Sequence, residues 1–101
     1  MITSNEPGYY EDKNFGIRIE NICYTTEIET PNNFNGKKYC SFDTISLVPL
    51  QNNLIETSIL SVAEKDWINN YHEKVRSTLL PLMQEKFPDA ISYLLEQTAA
   101  I

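Results

Sequence analysis

Residues 5–20 carry the side chains most able to do chemistry: Asn5-Glu6-Pro7-Gly8-Tyr9-Tyr10, then Phe15-Gly16-Ile17-Arg18-Ile19-Glu20. Glu6 precedes a proline, which biases it toward extended backbone at a strand end. Arg18 and Glu20 are two apart, so in a strand both leave one face while Ile17 and Ile19 leave the other. If the segments around 1–6 and 16–28 pair antiparallel, Glu6 and Glu20 approach each other on a shared face. Close carboxylates repel unless a proton or a cation lies between them. A hard divalent ion such as Mn²⁺ or Mg²⁺ prefers such oxygen ligands but wants about six of them, so two glutamates are not a complete site. The plainer alternative is that both are solvated strand residues and Arg18 pairs with one of them.

The elements that must position these residues divide near residue 57. Upstream, β-branched and aromatic residues cluster between turn signals; downstream, the apolar spacing is helical. The pattern predicts a strand over 1–6, a turn from Pro7 to Phe15 with Glu11-Asp12-Lys13-Asn14 as its polar tip, and a strand over 16–28. A loop rich in Asn, Pro and Gly follows over 29–38, then a strand over 39–48 that stops at Pro49. Past Glu20 the apolar residues move to even positions (Ile22, Tyr24, Ile28), which implies either two buried faces or a bulge near Glu20. Ser61 and Glu64 fit a capping box starting a helix at Val62. Leu60, Trp67, Ile68, Tyr71, Val75, Leu79 and Leu82 form its apolar stripe. Pro81 should end or kink that helix, and a shorter one is expected over 89–97.

The chain has 101 residues, a net charge of −6, one His and two Cys. That bounds it to one domain or part of one. The acidic balance argues against nucleic-acid binding, and no apolar run is long enough to span a membrane. The start of the chain lacks both the basic and the apolar regions of a secretory signal. Cys23 and Cys40 are too few and too unpatterned for a disulfide scaffold or a zinc site, and read as reduced thiols. His72-Glu73 does not open a zinc-binding H-E-x-x-H, because position 76 is Arg. It reads as a partly exposed helix histidine, and the Trp67/Tyr71 stripe as core.

The segment NEPGYYEDKNFGIRIEN resembles the metal-binding segment of the Xaa-Pro aminopeptidase (aminopeptidase P) branch of the creatinase-like, pita-bread metallopeptidases. The likeness continues through NFNGKKY, FDTISLVP, Leu54-Ile55 and WINNYH, and is strongest to the long, cytosolic eukaryotic form. The resemblance implies that Glu6 ligates one metal and acts as general base toward the attacking water. It implies that Glu20 bridges two divalent metals, usually Mn²⁺. Tyr10 and Arg18 would belong to the supporting hydrogen-bond network near the substrate. The implied reaction cleaves the bond between an N-terminal residue and a following proline, in peptides with proline second. The implied protein is cytoplasmic and homodimeric, with no nucleic-acid or membrane partner.

Two aspartates and a histidine that the family's site also needs are absent, and Met1 falls at an interior methionine of the family's first strand. The expectation is therefore an α+β chain. Residues 1–50 would be the C-terminal part of the metallopeptidase domain, and 51–101 its helical extension. By itself such a chain should be inactive. The competing expectation is a non-catalytic remnant or interaction module with an incomplete metal site.

Overall fold

Alternation of side chains in the first half and three-to-four spacing in the second separate the chain physically as well as in pattern. The computed structural model describes residues 1–101 and resolves two units, Met1–Ser46 and Leu47–Ile101. The first is built of antiparallel strands and the second of helices, giving the α+β class. No helix is long and apolar enough to cross a membrane.

In the first unit, β1 (Ile2–Asn5) pairs with β4 (Asn21–Ile28), and β2 (Gly8–Tyr10) pairs with β3 (Gly16–Arg18), both antiparallel. These are two stretches of one hairpin. Asn5 lies opposite Asn21, Gly8 opposite Arg18 and Tyr10 opposite Gly16, so the register is unchanged across the gap. Backbone bonds from Thr25 N to Met1 O, Ile19 N to Pro7 O and Glu11 N to Phe15 O extend the same register from end to end. The ladder lapses only around Pro7, which has no N–H to return a bond to Ile19.

The expected continuous strand over 16–28 is thus interrupted at Ile19–Glu20, and the expected turn from Pro7 contains a strand of its own. A bulge near Glu20 is excluded, because no residue is inserted between the two ladders. In β4 the odd positions Asn21 and Cys23 are buried, while Ile22 and Tyr24 are partly exposed. The polar tip is where the sequence puts it. Asn14 N bonds Glu11 O and Lys13 takes a left-handed conformation.

The remaining strand, β5 (Tyr39–Thr44), pairs antiparallel with the other edge of β4. It ends before the expected 48. Ile45 N and Ser46 N both turn onto Ile22 O, Ser46 Oγ accepts from Ile22 N, and the next residues bond to the helical unit instead.

In the second unit, α1 (Val62–Lys86) starts at the capping box read from the sequence. Ser61 Oγ accepts from Glu64 N, and the Glu64 carboxylate accepts from Ser61 N. Pro81 neither ends nor bounds α1, which runs on to Lys86. Leu79 and Leu80 before it and Met83 after it all pack on the core of Tyr71, Val75 and Leu94. Burial on both sides of the proline outweighs one missing helical bond. A 3-10 turn over Pro88–Ala90 leads to α2 (Ile91–Gln97), which supplies Leu94.

The buried face of α1 is rotated from the expected stripe. Ile68, Tyr71, His72 and Val75 are buried, whereas Trp67 and Leu82 are more than half exposed. Trp67 stacks on Tyr71 from the rim, ring centroids 5.9 Å apart. His72 is fully buried, not partly exposed. Both cysteines are free thiols, Cys23 buried and Cys40 exposed.

Truncating Leu94 to Ala should destabilise the chain by about 2–5 kcal/mol, since it is 3% exposed at the centre of a small core. Ser61→Ala should cost about 1 kcal/mol through loss of the cap. Urea unfolding checks both; equal effects would mean that the core does not dominate the stability of this unit.

Candidate metal-ligating hairpin

Register decides which side chains can meet. Continued by one residue beyond Asn5–Asn21, the pairing sets Glu6 opposite Glu20. The observed ladder bonds fall at odd-numbered pairs such as Glu11–Phe15 and Pro7–Ile19. Glu6 and Glu20 therefore form a non-hydrogen-bonded pair, the kind whose Cα atoms lie only about 4.5 Å apart and whose side chains share a face. Tyr10 and Arg18 are even-numbered on the same ribbon and leave that face too.

Two glycines clear the surface on which these groups lie. Gly8 is opposite Arg18 and Gly16 is opposite Tyr10. A Cβ on Gly8 would sit 2.4 Å from Tyr10 Oη, and one on Gly16 would sit 2.6 Å from Tyr10 Cδ1. The Tyr10 ring thus lies flat over both backbones, a close approach open only to glycine. Its hydroxyl accepts from Arg18 Nε at 2.8 Å, and the guanidinium carbon is 5.9 Å from the ring centre. Arg18 Nη1 then donates to Glu6 Oε2 at 2.6 Å, while Ser4 Oγ donates to Glu6 Oε1 at 2.8 Å. Both oxygens of Glu6 are therefore held.

Arg18 is more firmly protonated than an ordinary arginine. The Tyr10 hydrogen bond contributes most, followed by the charges of Tyr10 and Glu6 and then, more weakly, Glu20. In this chain Arg18 is the cation paired with Glu6. The plainer alternative drawn from spacing, an arginine paired with one of two strand carboxylates, describes the observed contacts.

Glu6 and Glu20 are of the right kind for a hard divalent ion, being oxygen donors on one face. Their number falls short: no group of three or more His, Cys, Asp or Glu is placed to hold a metal. Two oxygen donors alone fall short of the about six that such an ion takes. His72 belongs to the core of the helical unit and takes no part.

The residues singled out by spacing and by resemblance, Glu6, Glu20, Tyr10 and Arg18, lie on one face of this hairpin, and the structure adds Ser4, Gly8 and Gly16 to that face. The available signal for the glycines was their parity: both occupy the face shared by the four polar side chains.

Residues 38–101 match the family profile described as the C-terminal region of peptidase M24. The hairpin precedes that match, but wider comparisons include it. The chain is 45% identical over all 101 residues to a protein named Probable Xaa-Pro aminopeptidase P from Coprinopsis cinerea, covering 16% of that protein. It is 48% identical over 84 residues to Aminopeptidase P2 of Arabidopsis thaliana, which is 83% of this chain and 12% of that one. Among solved structures it resembles the X-prolyl aminopeptidase of Caenorhabditis elegans, described as a cytosolic enzyme with a di-nuclear active site. The TM-score is 0.88 at 30% identity over 99% of this chain and 16% of that one. The chain thus spans about one-sixth or less of the length of these relatives.

Gly8→Ala should expel the Tyr10 ring while leaving the hairpin intact. Proton NMR should lose contacts between Tyr10 and Arg18 but keep backbone contacts between Tyr9 and Ile17; retention of the first set would show that the glycine does not seat the ring. Arg18→Ala should leave the thermal midpoint almost unchanged, because its pair with Glu6 is nearly half exposed. A large drop in a thermal melt would show that the pair supports the fold rather than the site.

Proposed function

Because the chain belongs to the M24 peptidases, we propose that it forms the C-terminal part of a dinuclear-metal aminopeptidase that removes a residue N-terminal to proline. The observation that carries the reading is the Glu6–Glu20 pair, opposed in register with Arg18 and Tyr10 on the same face. Its support is the full-length likeness to a relative named as an Xaa-Pro aminopeptidase.

Glu6 and Glu20 would supply two of the metal-ligating side chains, and the other donors would come from outside these residues. When bound, two divalent ions, Mn²⁺ in this proposal, supply an acidified water and a polarised scissile carbonyl. The chain's own groups handle protons and orientation. Glu6 takes the proton of the attacking water. Ser4 and Arg18 fix its two oxygens, so that it need not reorganise. Tyr10 Oη accepts from Arg18 Nε and so keeps its own proton available to the substrate. Substrates would be peptides with proline second. The working protein would be a cytoplasmic homodimer that engages neither nucleic acid nor membrane.

Grafting this chain in place of the corresponding segment of the Coprinopsis relative tests the proposal. The chimera, loaded with Mn²⁺, should hydrolyse an Xaa-Pro peptide, and Glu6→Gln should lower kcat by on the order of 10²–10⁴. The chain alone should show no turnover. Turnover by the lone chain would contradict a shared site. A folded but inactive chimera would favour a non-catalytic module, a reading already supported by the shortage of ligands.

A further inference from the structure

Among the titratable side chains of helix α1, none of which the proposed site uses, His72 is fully buried. His72 Nε2 accepts a hydrogen bond from Leu50 N at 3.0 Å. One residue earlier on α1, Tyr71 Oη donates to Val48 O at 2.7 Å. Leu47 and Leu50 pack on the core beside these bonds. The irregular segment 47–50, which opens the helical unit, is therefore held to α1 by two polar contacts and two leucines. Pro49 has no N–H, so the backbone donor adjoining it at Leu50 is the one the imidazole receives.

We propose that His72 is an acid-sensitive latch: neutral, it pins segment 47–50 to α1, and protonated, it lets that segment go. Only a neutral ring nitrogen can accept. A proton on Nε2 would face the Leu50 N–H donor to donor inside a fully buried site, leaving that donor unpaired.

The surroundings favour the neutral ring. Burial is the main influence pushing its pKa below the usual histidine value; the Ala99 carbonyl opposes this, and the Arg76 charge on α1 adds to it. Arg76 is also tied to Glu73 and to Thr98 O. Tyr71, on α1, is the other titratable ring in contact, 6.0 Å away, and burial raises its pKa, so it stays neutral in the same range. Segment 47–50 and residues 98–100 bring no charged side chain. No carboxylate is therefore among the charges acting on the imidazole. The sign follows: the unfolded chain holds a proton more tightly, so the latch is fully stabilising above about pH 6.5 and is lost as pH falls through the folded-state value.

The inference does not depend on the peptidase proposal. Amide exchange of the full chain, corrected for intrinsic rates, is measured between about pH 7.5 and about pH 5.5. Protection of Leu50 should fall by up to roughly tenfold while the middle of α1 around Val75 stays protected. His72→Gln, which keeps a neutral acceptor, should remove the pH dependence. Should that variant fail to fold, ring-nitrogen NMR of the unmodified chain decides. An imidazole that becomes protonated in step with loss of the Leu50 bond supports the latch. Constant Leu50 protection, or a ring that titrates as in an unfolded peptide without disturbing Leu50, overturns it.

Discussion

The antiparallel register of the first hairpin is the constraint on which the site depends. From Met1–Thr25 to Glu11–Phe15 it never slips, even where Pro7 breaks the ladder. A shift by one residue would turn Glu20 and Arg18 to the opposite face from Glu6 and Tyr10. The short polar loop at Asp12–Asn14 closes the hairpin at one end, and β5 pairs along the outer edge of β4. Proline therefore serves two purposes at position 7. It keeps Glu6 extended, and it removes a backbone donor without changing which residues face each other.

A second constraint is steric and acts through absence of side chains. Gly8 and Gly16 leave room for one ring, and the ring carries a hydroxyl to the arginine that reaches Glu6. None of these groups is deeply buried, so their arrangement adds little to stability. Its use is orientation. A carboxylate held at both oxygens and an arginine held at two nitrogens are poised for charge that other parts of a larger site would bring. This chain spans about a sixth or less of the relatives' length.

How much was legible in the sequence depended on whether local chemistry or packing decided the outcome. The capping box at Ser61 and Glu64 and the polar tip at Glu11–Asn14 are local, and the structure has both. Alternation assigns Arg18 and Glu20 to one face and cross-strand pairing adds Glu6, whereas Tyr10 is singled out only by the family resemblance. The strand at Gly8–Tyr10 was hidden because Pro-Gly reads as a turn, and only pairing with Gly16–Arg18 makes it extended. That Pro81 does not end the helix was hidden for the same reason: Leu79, Leu80 and Met83 hold the helix through it, and packing is not visible in a propensity. His72 was taken for a surface residue because its polarity suggested exposure. Its acceptor role needs Leu50, which only the fold brings to it.

The most direct test of the central claim is paramagnetic broadening of the chain's NMR signals on titration with Mn²⁺. The account predicts that residues around Glu6 and Glu20 broaden first, together with their cross-strand neighbours Asn5 and Asn21, and that Glu20→Gln abolishes the effect at both strands at once. Broadening centred instead on the exposed acidic tip at Glu11 and Asp12, or on Glu27 and Glu29, with Glu6 and Glu20 unaffected, would contradict it.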